Sequence, residues 1–104
     1  MARFEVFQNP VALERSHTPF FLDVQNDHLD ALSSRVVVPL RKQAAFGPRA
    51  RSLNPLLQVL GEDLVLDTAA LGAVATAVLR RPATQLGAGR NEVLDALDTL
   101  FGAY

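Results

Sequence analysis

Residues 19–40, PFFLDVQNDHLDALSSRVVVPL, decide the fold of this 104-residue chain. Residues 20–24 form an apolar run that is typical of a buried strand. Residues 35–40 contain three consecutive valines, which favour a second strand, and Pro39 is expected to end it. The segment between them, residues 25–34, is rich in Asn, Asp and Ser and predicts a surface loop. The simplest arrangement is a hairpin-like pair of strands.

Further strands are predicted on both sides of this pair. Residues 4–7 follow a strand-like pattern that Asn9 and Pro10 end, because proline cannot donate to a strand ladder. Two short apolar runs, residues 56–60 and 64–66, flank a glycine-containing turn and give the clearest hairpin signal in the chain.

Helical signals are weaker until the end of the chain. Residues 42–46 could form a short helical turn that Gly47 stops, and residues 73–79 could be helical by propensity, although periodicity does not settle the choice. The last segment predicts an amphipathic helix that ends at Gly102. Its apolar residues recur after four, seven and eight positions, at Val93, Leu97, Leu100 and Phe101.

Composition indicates one folded domain spanning residues 1–104. Hydrophobic residues make up 49% of the chain and charged residues 20%, which excludes a disordered segment. The net charge of −1 provides no overall field for nucleic acid, and the absence of cysteine excludes disulfides and thiolate metal sites. Residues 1–10 lack a continuous apolar segment, so neither a signal peptide nor a membrane span is expected, and a cytoplasmic location is the default.

The sequence contains no convincing catalytic or cofactor motif. His17 and His28 match no nucleophile–base pattern and no helical pair of metal ligands. The acidic residues of the loop suggest a calcium site, yet the mid-loop glycine and closing glutamate of an EF-hand are absent. No phosphate-binding glycine motif exists either. We therefore expect no enzyme, no metal and no cofactor, and a protein that acts by binding another macromolecule.

The chain resembles the CcdB toxins of toxin–antitoxin modules over almost its whole length. Residues 20–40 are similar to the family's pattern of a strand, D-V-Q-S-D, an apolar pair, an arginine and V-I-P-L. Further agreement lies, in the same order, at residues 4–7, 53–55, 68–74 and 90–92. The resemblance implies a mainly β fold, an SH3-like barrel of antiparallel strands with one C-terminal α-helix, and a homodimer. It also makes residues 73–79 a strand.

The resemblance further implies a function that needs no catalytic residue. CcdB-like toxins bind the A subunit of DNA gyrase and trap the complex of gyrase with cleaved DNA, and a CcdA-like antitoxin neutralises them. The positions that match the family's gyrase-binding surface are His28, Leu29, Asp98, Phe101, Gly102, Ala103 and Tyr104.

The end of the chain departs from the family pattern and leaves alternatives open. The family commonly ends F-W-G-I, whereas residues 101–104 read FGAY, so Tyr104 is a candidate for the lost aromatic anchor. Alternatively, Phe101 is a core residue of the helix and the tail has no role. Two other functions remain. One is an endoribonuclease of the MazF or Kid type, in which Arg35 or Arg41 would act on RNA. The other is a non-toxic relative that still dimerises and binds antitoxin.

Overall fold

The computed structural model describes residues 1–102, which form one curled antiparallel sheet, a half-barrel, with a helix at the C-terminal end. Its strands are β1 (Glu5–Gln8), β2 (Phe20–Asp23), β3 (Ser34–Lys42), β4 (Leu56–Val59), β5 (Glu62–Leu66), β6 (Gly72–Ala75) and β7 (Thr84–Gln85). Its helices are α1 (Gln43–Phe46) and α2 (Arg90–Phe101). Single 3-10 turns cover Ala12–Glu14, Asp27–Leu29, Thr68–Ala70 and Thr76–Val78. The expected mainly β fold with a C-terminal helix is confirmed.

The strands run in the order β4-β5-β3-β2-β1-β7, and β6 also pairs with β3. The predicted pair across residues 25–34 is confirmed, since β2 and β3 are antiparallel neighbours. The expectation that Pro39 ends the second strand is wrong, because β3 continues to Lys42. Pro39 lies where β3 changes its partner from β6, which pairs as far as Val37, to β5, which pairs from Leu40. A residue without an N–H therefore falls between two ladders and interrupts neither.

Residues 73–79 are only partly the strand that the family resemblance implied. Strand β6 ends at Ala75, and residues 76–78 form a 3-10 turn. The reason lies in its partner: β6 pairs with the first residues of β3, beginning with Ala75 opposite Ser34. Thr76 N donates to Ser33 O at 2.8 Å, and beyond that point β3 offers no further residue to pair with.

The core of the half-barrel is apolar, and α2 contributes Val93 and Ala96 to it. Gly89, just before α2, has φ +101°, and a Cβ atom there would lie 2.7 Å from Leu57 Cδ2. Only glycine therefore allows the start of the helix to approach β4 this closely. No helix within residues 1–102 has the length and apolar character that crossing a membrane requires. Buried apolar residues of the main cluster include Val6, Leu22, Leu40, Leu64, Leu66, Val93 and Ala96.

Strands β4 and β5 form the predicted hairpin, and its two-residue turn carries local strain. Both turn residues have positive φ, 51° at Leu60 and 82° at Gly61. This backbone matches the type I′ turn that joins tight hairpins, in which Asn followed by Gly is strongly preferred. Leucine pays a steric cost in this conformation, and its side chain gains little in return because it is 65% exposed.

The variant Leu60→Asn is expected to raise the free energy of unfolding by about 0.5–1 kcal/mol, because asparagine tolerates the positive φ and no buried contact is lost. Urea denaturation with a constant m-value measures the change. Leu13→Asn is the matched control, since Leu13 is 93% exposed and lies outside the positive-φ positions. No gain at residue 60, or an equal gain at residue 13, would show that turn strain is not the cause.

Candidate interaction surface

A buried ion pair lies under the loop of residues 25–33. Asp23 ends β2 and Arg35 lies at the start of β3, and their side chains are 0% and 1% exposed. Arg35 Nε donates to Asp23 Oδ2 at 2.7 Å, and Arg35 Nη2 donates to Asp23 Oδ1 at 2.9 Å. This two-bond geometry is the strong form of an arginine–carboxylate contact. The family-like aspartate and arginine therefore have a structural role, joining the two ends of the loop.

The environment keeps Arg35 charged. The hydrogen bonds from its side chain to Asp23 raise the pKa of Arg35, burial opposes this, and the negative charges of Asp23, Asp30 and Asp27 add to the rise. A group whose pKa is raised by folding stabilises the fold at every pH below its unfolded pKa. Loss of the Arg35 proton therefore removes this contribution only in strong alkali. Within residues 1–102, Arg35 Nη1 has no hydrogen-bond partner, and Asp30 Oδ1 lies 3.5 Å from it.

Two amide side chains shape the turn that follows β2. Gln25 is 7% exposed, and its Oε1 accepts from Val36 N at 2.9 Å while its Nε2 donates to Leu29 O at 3.1 Å. Asn26 Oδ1 accepts from His28 N at 2.9 Å and so caps the 3-10 turn Asp27–Leu29. The polar residues that predicted a loop thus satisfy the backbone of that loop.

The remaining carboxylates of the loop are held by the N-terminal residues. Asp27 Oδ1 accepts from Arg3 N at 2.6 Å, and Asp30 Oδ1 lies 3.0 Å from the ammonium group of Met1. In the part of the chain that the structure describes, no group of three or more His, Asp or Glu side chains is placed to hold a metal ion. The acidic spacing that suggested a calcium loop is explained by these contacts and by the Asp23–Arg35 pair.

The turn presents the first two predicted site residues to solvent. His28 and Leu29 both lie in Asp27–Leu29 and both are exposed, with 49% of Leu29 accessible. Leu32, further along the same loop, is 52% exposed. Apolar side chains are therefore displayed beside the buried ion pair and do not fill the core.

Helix α2 carries the other predicted site residues at its end. Asp98 is exposed, and the N–H of Gly102 donates to the carbonyl of Asp98 in a left-handed cap with φ 74°. Phe101 is 69% exposed, so the alternative that it is a core residue is wrong. The buried residues of the helix are Val93 and Ala96. Two other predicted site residues, Ala103 and Tyr104, lie outside the described residues.

The ring of Phe4 lies between Arg3 and Arg90, the first residue of α2. The guanidinium carbons of Arg3 and Arg90 lie 5.2 and 5.1 Å from the centroid of the Phe4 ring, within the range of cation–π contacts. Arg3 Nε also donates to Val24 O at 3.1 Å. Phe101 lies about 16 Å further along α2 by the helical rise. Among residues 1–102, no hydrogen bond or ion pair joins the Asp27–Leu29 turn to α2. The two parts of the predicted site therefore lie on separate elements.

A groove on another part of the surface is not predicted by any sequence pattern. It has a volume of about 580 Å³ and combines two arginines with apolar side chains, of which Val78 is 45% exposed. Arg15 Nε donates to Asn9 O at 2.7 Å, and Arg80 forms no hydrogen bond or ion pair with any residue of the range 1–102. Only the folded chain brings these positions together. The lining residues are Gln8, Pro10, Arg15, Ala77, Val78 and Arg80.

The arginines considered for an RNA-cleaving function are engaged in ion pairs. Arg35 is buried against Asp23, as described above, and has no surface to offer to RNA. Arg41 Nε donates to Asp67 Oδ2 at 2.7 Å, and its Nη1 donates to Thr18 Oγ1 at 3.0 Å. Both guanidinium groups are thus held by carboxylates, and this geometry lends the ribonuclease alternative no support.

The curled half-barrel with one C-terminal helix places the chain in the class of small, mainly β domains. Comparison with protein families gives the specific assignment. The family model described as CcdB protein matches residues 3–102, and the chain therefore belongs to the CcdB family. The resemblance seen in residues 20–40 is thus confirmed, and membership in the family makes the chain a toxin of a toxin–antitoxin module.

Proposed function

We propose that the chain poisons DNA gyrase without catalysing a reaction of its own. It binds the A subunit as a homodimer in the cytoplasm, traps the complex of gyrase with cleaved DNA, and is neutralised by a CcdA-like antitoxin. The proposal follows from membership in the CcdB family. It requires no catalytic residue, metal or cofactor, because the toxin acts by occupying a surface.

The observation that carries the proposal is the exposure of Phe101. A phenylalanine at the end of an amphipathic helix usually contributes to the core, yet this ring is 69% exposed. Exposed aromatic residues supply much of the energy of protein interfaces. Leu29 adds a second exposed apolar side chain. The gyrase-binding surface that we propose consists of His28, Leu29, Asp98, Phe101 and Gly102, together with Ala103 and Tyr104.

The groove with Arg15 and Arg80 supports binding of an antitoxin segment. Its lining contains two cationic side chains and no acidic one, beside the apolar surface of Val78 and Pro10. A segment that alternates acidic and apolar residues is complementary to such a groove. We therefore place an acidic, apolar segment of the antitoxin here, away from the gyrase-binding surface.

Arg80→Glu is expected to weaken antitoxin binding about tenfold at low ionic strength, since a rim charge of the wrong sign repels an acidic segment. The effect shrinks as salt is added, because exposed charges are screened. Titration calorimetry at two salt concentrations measures both changes. Arg51→Glu is the control, because Arg51 lies in another cleft, beside Glu92 and Asp95. Equal losses in the two variants would show that the groove does not bind the antitoxin.

Expression in a sensitive host, with and without a CcdA-like antitoxin, tests the function as a whole. We expect growth arrest when the chain is expressed alone and growth when the antitoxin is present. Harmless expression of soluble, folded protein would identify the non-toxic relative instead. Growth arrest accompanied by RNA cleavage that a clean preparation reproduces would identify the endoribonuclease.

A further inference from the structure

Gln25 connects the exposed turn directly to the sheet. Its buried amide spans two elements, accepting from Val36 N of β3 and donating to the carbonyl of Leu29. Leu29 O is thereby held at 3.1 Å from a side chain that cannot move without breaking a strand contact. Because a buried amide without partners is costly, both bonds favour the same position of the turn.

The backbone of Gln25 is fixed as firmly as its side chain. Gln25 N donates to Asp23 Oδ1 at 2.9 Å, and Arg35 Nη2 approaches Gln25 O at 3.4 Å. The buried ion pair thus forms hydrogen bonds with the peptide groups on both sides of Gln25. A rigid path runs from the pair, through Gln25, to the main chain of Leu29.

We propose that Gln25 is a positioning residue for gyrase recognition. It fixes the position and orientation of His28 and Leu29 relative to the sheet. This inference rests on the proposed function. Gln25 itself is too buried to provide the contact surface, so it acts through the two residues of the turn. A turn held in its bound conformation loses less conformational entropy on binding, and binding is correspondingly tighter.

A buried amide elsewhere in the chain provides a matched control. Asn54 is 5% exposed, donates to Leu66 O at 3.1 Å and accepts from Ala50 N at 3.2 Å, so it also joins a strand to a loop. Gln25→Met and Asn54→Leu each replace an amide by an apolar side chain of similar size. Both variants lose two side-chain hydrogen bonds, but only the first loses a bond to the turn.

Two measurements on the full chain separate positioning from stability. In Gln25→Met, we expect the amide hydrogens of Leu29 and Asp30 to exchange faster and the affinity for the gyrase A subunit to fall roughly three- to tenfold. In Asn54→Leu, we expect neither change, although the midpoint temperature of thermal unfolding falls to a similar extent in both variants.

The outcomes distinguish this inference from the function on which it rests. If the wild-type chain is folded but does not bind the A subunit, the proposed function is wrong. The role of Gln25 in gyrase recognition is then wrong as well. Normal wild-type binding combined with equal losses in Gln25→Met and Asn54→Leu overturns the role of Gln25 alone. Unchanged amide exchange in the turn of Gln25→Met overturns it as well.

Discussion

Arg35→Met is expected to lower the free energy of unfolding by about 3–5 kcal/mol, because it leaves the carboxylate of Asp23 buried without a counter-charge. Small domains have only about 5–15 kcal/mol of stability in total. The variant should therefore unfold at much lower urea concentration or fail to accumulate. Equilibrium unfolding in urea, followed by circular dichroism, measures the loss.

A second variant keeps this prediction testable if Arg35→Met does not fold. Asp23→Asn combined with Arg35→Met removes both charges, and the asparagine oxygen still accepts from Gln25 N. We expect the double variant to fold and to be more stable than Arg35→Met by more than about 1 kcal/mol, since no buried carboxylate is left without a counter-charge. A loss below about 1 kcal/mol for Arg35→Met, or a double variant that is no more stable than Arg35→Met, would mean that the pair does not hold the loop.

Phe101→Ala is expected to weaken binding of the gyrase A subunit by about 30-fold, which corresponds to the loss of about 2 kcal/mol that marks an interface anchor. The free energy of unfolding should change by less than about 0.5 kcal/mol, because an exposed side chain contributes little to folding. Titration calorimetry gives the affinity, and urea denaturation of the same samples gives the stability.

Leu13→Ala is the control for this prediction. Leu13 is 93% exposed and lies in the 3-10 turn Ala12–Glu14, outside the proposed gyrase-binding surface. Its replacement should leave gyrase affinity unchanged. If Phe101→Ala instead loses several kcal/mol of folding stability and no affinity, the ring serves the fold and the proposed anchor is wrong.

The local elements of the fold were predictable where the signal lay in neighbouring residues. The apolar runs around residues 25–34 predicted β2 and β3, and the spacing of Val93 and Phe101 predicted α2. Periodicity does not report burial at a helix end, so only the structure shows that Val93 is buried while Phe101 is 69% exposed.

Features that depend on distant pairing were not predictable from local patterns. The extent of β3 beyond Pro39 follows from a change of partner strand, and β6 ends where its partner begins. The two-residue strand β7 (Thr84–Gln85) exists only because β1 lies beside it. Each of these is a consequence of tertiary context, which overrides propensity in strands.

The candidate surface, too, was only partly predictable from local sequence patterns. The family-like motif pointed to His28 and Leu29, yet the motif residues Asp23 and Gln25 have a different role, as the buried support of the turn. Loop propensity alone cannot separate exposed from buried polar residues. A buried arginine in strand β3, Arg35, was the available signal, because a charged residue beside three valines requires a partner.

Trapping of cleaved DNA by purified gyrase tests the central claim most directly. The wild-type chain is incubated with the cognate gyrase, DNA and ATP, and covalently trapped cleaved DNA is quantified against toxin concentration. We predict that cleaved DNA accumulates with added toxin and disappears when a CcdA-like antitoxin is added. Folded protein that binds its antitoxin but yields no trapped DNA at any concentration would contradict the claim.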